Sequence, residues 1–197
     1  RKAIGKELTG DGIAAAVLTL PDSIAWLLNV RGGDVSHSPL PLSFAILKAD
    51  GSIDWFLDPR KRNPELAAHL DSGVTLRAPA EFATALAAYK GFKVQADPGN
   101  AASWIFDRLA EAGATIIRGA DPCLMPKPCK NAVELSGIRA AHRRDGAALT
   151  KFLAWVTRTA PQGGVSEIAA SHKLEAYRRQ SNLLRDLSFG TISGAGP

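Results

Sequence analysis

Cysteine is scarce in this sequence, which has only Cys123 and Cys129 among 197 residues. Two cysteines are too few for a disulfide scaffold. Their spacing is not Cys-x-x-Cys, and no histidine or second pair lies close by, so the stretch does not favour a zinc site. Three prolines between residues 121 and 129 predict an extended segment that keeps the sulfurs apart. We expect two reduced thiols and a cytoplasmic protein.

Long apolar runs are also missing. No stretch of about 18 apolar residues occurs, so we expect no transmembrane helix and no membrane partner. The start of the chain lacks the charged and then apolar layout of a signal peptide. Because the sequence opens on Arg1 rather than on methionine, we expect that residues once preceded it.

Sequence motifs that carry chemistry are absent as well. There is no glycine-rich nucleotide fingerprint, no Walker loop, no His-Glu-x-x-His and no nucleophile elbow. The four histidines are His37, His69, His142 and His172, and none has metal-ligand spacing to another. His37 lies in a loop rich in glycine and proline, which makes it a candidate for a loop or interface contact.

The net charge of +5 and the pI near 9.4 raise the question of nucleic-acid binding. The densest basic groups are residues 139–144 and 178–179, on predicted helices that also carry acidic residues. Solvated helix faces account for this pattern. A nucleic-acid footprint would need one clustered basic face, so we expect no nucleic-acid partner.

The first 120 residues alternate between short apolar strands and short amphipathic helices, which predicts an α/β fold with helices packed on a mixed sheet. Asp50-Gly51 between two apolar runs indicates a hairpin. Gly113 is placed to end a helix. The predicted strands are 14–20, 42–49, 53–58, 74–77, 93–96 and 115–118, and the predicted helices are 21–29, 64–70, 81–89 and 101–112.

Beyond residue 121 the pattern changes. Asn131 and Glu134 have capping-box spacing and predict the start of a long helix that ends near Pro161. Ser166 can cap a second helix, and residues 188–193 are typical of a strand. Two helices and one strand cannot bury both helix faces, so we expect this part to lack the rest of its domain and to expose apolar side chains or bury them against another copy.

Two long stretches resemble a known family. They are residues 20–39 (LPDSIAWLLNVRGGDVSHSP) and 126–155 (PKPCKNAVELSGIRAAHRRDGAALTKFLAW). Both are similar to the three-domain Xaa-Pro aminopeptidases. Residues 188–197 (SFGTISGAGP) resemble the strand that leads into their active site. The resemblance implies a creatinase N-terminal-type, ribonuclease H-like domain at 1–122, a linker at 123–130, and the first helices of a truncated pita-bread α+β domain at 131–197.

The resemblance also implies an activity. The family releases the N-terminal residue from peptides that have proline in second position. Two divalent metals, usually manganese, hold the attacking hydroxide, and two Asp, one His and two Glu bind them. None of these ligands has a counterpart here, so the resemblance assigns no catalytic or metal-binding residue. We expect an inactive fragment, without a cofactor of its own, of a homo-oligomeric enzyme.

One residue receives a substrate-related role from the resemblance. Phe189 matches the position whose side chain lies near the metal site, so it is a candidate for lining the substrate pocket. Two alternatives remain open. A pita-bread scaffold without metals can act as a non-catalytic peptide- or protein-binding module, and creatinase-like amidinohydrolases share the scaffold without needing metals.

Overall fold

The computed structural model describes residues 1–194 and divides into two compact units. The first, here called the sheet unit, comprises Arg1–Val35 and Pro39–Cys129. The second, here called the helical unit, comprises Ser36–Ser38 and the chain from Lys130 onward. The chain therefore leaves the sheet unit for three residues and returns to it before it enters the helical unit again.

The sheet unit contains one mixed sheet of six strands. Its strands are β1 (Ala15–Leu18), β2 (Phe44–Lys48), β3 (Ile53–Phe56), β4 (Val74–Arg77), β5 (Lys93–Ala96) and β6 (Thr115–Arg118). Their order across the sheet is β4-β3-β2-β1-β5-β6. The β1–β2 and β2–β3 pairs are antiparallel, whereas β3–β4, β1–β5 and β5–β6 are parallel. The first strand of the sequence is therefore an interior strand of the sheet.

Five α-helices belong to this unit together with two short 3-10 helices, Pro59–Lys61 and Pro79–Glu81, and local sequence signals explain several ends of the α-helices. They are α1 (Lys2–Gly10), α2 (Pro21–Leu28), α3 (Pro64–His69), α4 (Phe82–Ala87) and α5 (Ser103–Ala112). Proline is the first residue of α2 and of α3, where a backbone N–H would have no hydrogen-bond partner within the helix. Gly113 follows α5 with a φ of 79°, as a left-handed helix cap does. The predicted alternation of strands and helices is confirmed.

Both faces of the sheet are covered by apolar side chains. In β1, Ala16 and Leu18 belong to one buried cluster with α1 and α2, whereas Ala15 and Val17 belong to another with α4 and α5. This alternation follows from the period of two along a strand. A sheet buried on both faces requires nearly continuous apolar strands, which is why β1 contains no polar residue.

The helical unit consists of α6 (Ala132–Thr159) and α7 (Glu167–Arg178). The predicted capping box is confirmed, because the Glu134 amide donates to Asn131 Oδ1 at 2.9 Å and the Asn131 amide donates to Glu134 Oε2 at 2.8 Å. Ser166 Oγ accepts from the amide of Ala169 and caps α7. Among the described residues of this unit, Ala148 is the only buried one. The expected exposure of apolar side chains is confirmed.

Two local predictions are wrong. Residues 188–194 form no strand, since a strand needs a partner for its hydrogen bonds and the described part of the helical unit offers none. The proline-rich segment after β6 is a series of turns and is not extended. Asp121 Oδ1 accepts a hydrogen bond from the amide of Cys123, and this aspartate turn bends the chain at once. Residues 195–197 lie outside the described residues.

Candidate functional site

The stretch after α2 that carries the family resemblance folds back on itself. Asn29 ends α2 in the left-handed region with a φ of 50°. The amide of Gly32 then donates to the carbonyl oxygen of Pro39 at 3.2 Å. A Cβ atom on Gly32 would lie 2.7 Å from the backbone nitrogen of Pro41, so only glycine allows this approach. The loop is thus a shaped element and not a free connection.

Asp34 is the charged centre of this loop. Its carboxylate accepts from the amide of Leu42 at 2.6 Å and forms an ion pair with Lys61. The Lys61 side chain and then the Leu42 amide lower the pKa of Asp34 below its ordinary value. The loop borders a cavity of about 230 Å³ whose lining also includes Arg31 and Trp55. No sequence pattern singled out Asp34, although it lies within the resembling stretch 20–39.

His37 lies in the three-residue part of this loop that belongs to the helical unit. Its backbone has a φ of 61°, which is uncommon for a residue with a side chain. Its ring nitrogen Nδ1 lies 3.1 Å from the carbonyl oxygen of Leu187 and 3.6 Å from Oδ2 of Asp186. The sequence predicts a contact role for His37 but does not indicate these partners. They lie about 150 residues away in the sequence.

Phe189 follows Leu187 by two residues in the sequence and is 67% exposed. The nearby cavity of about 630 Å³ in the helical unit is lined by α6, α7 and residues 180–188, and Phe189 is not among its lining residues. The predicted role of Phe189 as part of a substrate pocket stays a prediction.

The lining of that cavity is rich in cations. Arg178 Nε donates to Asp145 Oδ1 at 2.6 Å, and Lys151 Nζ donates to Gln180 Oε1 at 2.8 Å. Residues 130–197 contain ten Lys and Arg but five Asp and Glu, so they account for the whole net charge of +5. The positive charge of the chain is therefore a property of its C-terminal part, and residues 1–129 are balanced.

Residues that could bind metal ions do not come together in residues 1–194. No group of three or more His, Cys, Asp or Glu side chains there has the arrangement of a metal site. The buried Asp97 and Asp121 carboxylates are instead engaged by backbone amides. The described residues do not fit a metal centre, and no chemical step can be assigned to one here.

No helix among residues 1–194 has the length and apolar character of a membrane span.

These features define a creatinase-type α/β unit followed by a helical unit. Residues 1–134 match the family described as the creatinase/prolidase N-terminal domain. Because this match covers more than half of the chain, the chain belongs to that family. The predicted resemblance and fold class are confirmed.

Relatives with similarity over nearly the whole chain carry a more specific name. A probable Xaa-Pro aminopeptidase P from Aspergillus clavatus is 34% identical over 98% of this chain and 30% of its own length. A relative of the same name from Aspergillus oryzae is 35% identical over 98% of this chain and 31% of its own length. The chain thus spans about 30% of the length of these relatives.

Solved structures agree with the fold. X-prolyl aminopeptidase from Caenorhabditis elegans, described as a cytosolic enzyme with a di-nuclear active site, superposes with a TM-score of 0.87 and 28% identity over 98% of this chain and 32% of that chain. Xaa-Pro dipeptidase from Bacillus anthracis has a TM-score of 0.66 and 18% identity over 90% of this chain and 48% of that chain. The second likeness shows the fold alone.

Proposed function

We propose that this chain is part of an Xaa-Pro aminopeptidase, which releases the N-terminal residue from peptides with proline in second position. In this proposal residues 1–122 are the creatinase-type domain, 123–130 are the linker, and 131–197 begin the pita-bread peptidase domain. The observation that carries the proposal is the similarity to the Caenorhabditis elegans X-prolyl aminopeptidase, which covers 98% of the chain with a TM-score of 0.87.

The chemistry belongs to the longer protein in this proposal. Residues of the longer protein would hold two divalent metals, for which we propose manganese, and these would supply Lewis-acid chemistry and an activated water at the peptide site. The di-nuclear site of the structural relative supports the number of metals. The described residues contribute no metal ligands, so their role is to frame the peptide and the subunit contacts of a cytoplasmic homo-oligomer.

The test compares the 197-residue chain with the longer protein, each incubated with Ala-Pro-Ala and with Ala-Ala-Ala in the presence of Mn²⁺. We expect the longer protein to release alanine from Ala-Pro-Ala but not from Ala-Ala-Ala. This activity should be lost with EDTA and restored with Mn²⁺. We expect the 197-residue chain to release none.

Two results would contradict the proposal. Turnover by the 197-residue chain would show that it holds a complete site. A longer protein that binds Ala-Pro-Ala without hydrolysing it would be a peptide-binding module, which is the alternative function that the sequence leaves open.

A further inference from the structure

Ser36–Ser38 is the only part of the loop after α2 that is assigned to the helical unit, while residues on both sides of it belong to the sheet unit. His37 is the middle residue of this tripeptide. A side-chain contact between His37 and the chain beyond Lys130 therefore lies inside the helical unit.

The backbone of His37 has an uncommon conformation for a residue with a side chain. A φ of 61° places it in the left-handed region, which is unfavourable for a residue with a Cβ. Histidine adopts this region more readily than most residues, but a conformation of this kind persists only where surrounding contacts offset it. The ring is the group in a position to provide such contacts, since 35% of the side chain is exposed and the rest is covered.

The ring geometry defines the contact. Nδ1 lies 3.1 Å from the carbonyl oxygen of Leu187. A carbonyl oxygen can only accept, so Nδ1 carries the hydrogen and donates it. The carboxylate of Asp186 contacts both partners of this hydrogen bond. Its Oδ1 accepts from the Leu187 amide at 2.7 Å, and its Oδ2 lies 3.6 Å from Nδ1 of His37.

The segment that receives this hydrogen bond has few others. Among the described residues 185–194, the polar contacts are those at Asp186 and Leu187. The segment contains no helix or strand that could fix it through backbone hydrogen bonds. The His37 contact is thus its principal polar anchor in the described part of the chain, and Phe189 lies two residues beyond that anchor.

We propose that His37 is a positioning residue, which fixes the segment from Asp186 to Phe189 through the hydrogen bond from its Nδ1 to the Leu187 carbonyl. The consequence for catalysis rests on the proposed function: in the longer protein, loss of this hydrogen bond misplaces the segment that leads toward the peptide site. The hydrogen bond itself does not depend on that function.

Three substitutions of His37 separate its backbone from its ring. His37→Gly keeps the left-handed backbone without strain and removes the donor. His37→Asn also tolerates this backbone, and its Nδ2 occupies the place of the histidine Nδ1. His37→Gln carries its amide nitrogen one bond further out, where Nε2 of histidine lies. His172→Asn is the matched control, because His172 is an exposed helical histidine.

The first measurement is hydrogen exchange of the Leu187 amide, which donates to Asp186 Oδ1, in the 197-residue chain, together with the nitrogen spectrum of the imidazole rings. We expect about fivefold faster exchange in His37→Gly and in His37→Gln, because each variant loses one hydrogen bond. Exchange in His37→Asn and in His172→Asn should stay close to that of the wild type. The ring of His37 should carry hydrogen on Nδ1. Unchanged exchange in His37→Gly, or hydrogen on Nε2 alone, would overturn the proposal.

The second measurement is hydrolysis of Ala-Pro-Ala by the longer protein. We expect His37→Gly to lower kcat about tenfold with little change in KM, and His37→Asn to restore most of it. A normal kcat in His37→Gly would overturn the catalytic consequence. An inactive wild-type protein would overturn the proposed function, while the exchange and nitrogen data would still decide whether His37 fixes the segment.

Discussion

The backbone amide of Asp121 donates a hydrogen bond to the carboxylate of Asp97 at 3.1 Å, and both aspartates are buried. Asp97 directly follows β5, and Asp121 lies shortly after β6, so the two residues meet where adjacent parallel strands end. The same Asp97 carboxylate accepts from the Gly99 amide at 2.9 Å and from the Asn100 side chain at 2.8 Å. Asp97 therefore organises its own turn and the first residue of the proline-rich segment.

Replacement of Asp97 by alanine should destabilise the sheet unit by about 1–3 kcal/mol, because the buried amide of Asp121 and the partly buried donors of Gly99 and Asn100 would lose their acceptor. Urea unfolding followed by circular dichroism measures this change. Asp107→Ala is the control, since Asp107 is exposed on α5 and its loss should change stability by less than about 0.5 kcal/mol. Equal effects of the two substitutions would show that the Asp97 hydrogen bonds contribute nothing.

The contribution of Asp97 should also depend on pH. Burial raises the pKa of Asp97, but the hydrogen bonds from Asn100, Gly99 and Asp121 outweigh it, so this pKa lies below its ordinary value. The unfolded chain then binds the proton first as the pH falls, and the stabilisation present above about pH 4 is lost below it. The stability difference between wild type and Asp97→Asn should shrink from pH 6 to pH 3. A difference that stays constant would contradict this.

Substitution of two glycines of α1 by alanine should change the free energy of unfolding differently, with a loss at Gly5 and no loss at Gly10. A Cβ atom on Gly5 would lie 2.7 Å from the carbonyl oxygen of Ala49 and 2.9 Å from the Gly51 nitrogen, so α1 packs directly on the β2–β3 turn. Gly5→Ala should cost about 1–3 kcal/mol through this overlap. Gly10→Ala meets nothing within 4 Å and should be neutral or stabilising by up to about 1 kcal/mol. Urea unfolding of both variants is the measurement, and stabilisation by Gly5→Ala would refute the close packing.

Local signals in the sequence predicted local structure well. Proline at the start of α2, Gly113 after α5 and the pair Asn131 and Glu134 at the start of α6 all act on backbone groups a few residues away. The hairpin was predicted from Asp50-Gly51, although the connection between its strands spans four residues, 49–52. Such features can be predicted without knowing which distant residues pack against them.

Non-local relationships could not be predicted in this way. The interior place of β1 depends on pairing with both β2 and β5, which no local pattern encodes. The strand predicted at 188–193 failed for the same reason, because pairing requires a neighbour and not only a suitable composition. For His37 the sequence indicated a contact role, but only the structure brings it to Leu187.

The two cysteines should differ sharply in reactivity. Cys123 is fully buried, and burial, followed by the nearby Asp121 carboxylate, raises the pKa of its thiol. Only a thiolate reacts readily, so Cys123 should stay unlabelled. Cys129 is exposed. We expect one rapid equivalent of a disulfide reagent at pH 8 and a second after denaturation, with the rapid one absent from Cys129→Ser. Two rapid equivalents in the folded chain would contradict the burial of Cys123.

The long helix α6 carries Gly137 and Gly146 in its interior, and a Cβ atom at either position would meet nothing within 4 Å. An interior helical position favours alanine over glycine by roughly 0.5–1 kcal/mol, so each Gly→Ala substitution should stabilise α6 by that amount. Asn131→Ala should act in the opposite direction by about 1 kcal/mol, because it removes half of the capping box. Circular dichroism at 222 nm during thermal unfolding measures both effects in the 197-residue chain. If Gly146→Ala stabilises this chain but destabilises the longer protein, that difference would locate a surface that packs against the same face of α6. Destabilisation in the 197-residue chain itself would instead contradict the open space at Gly146.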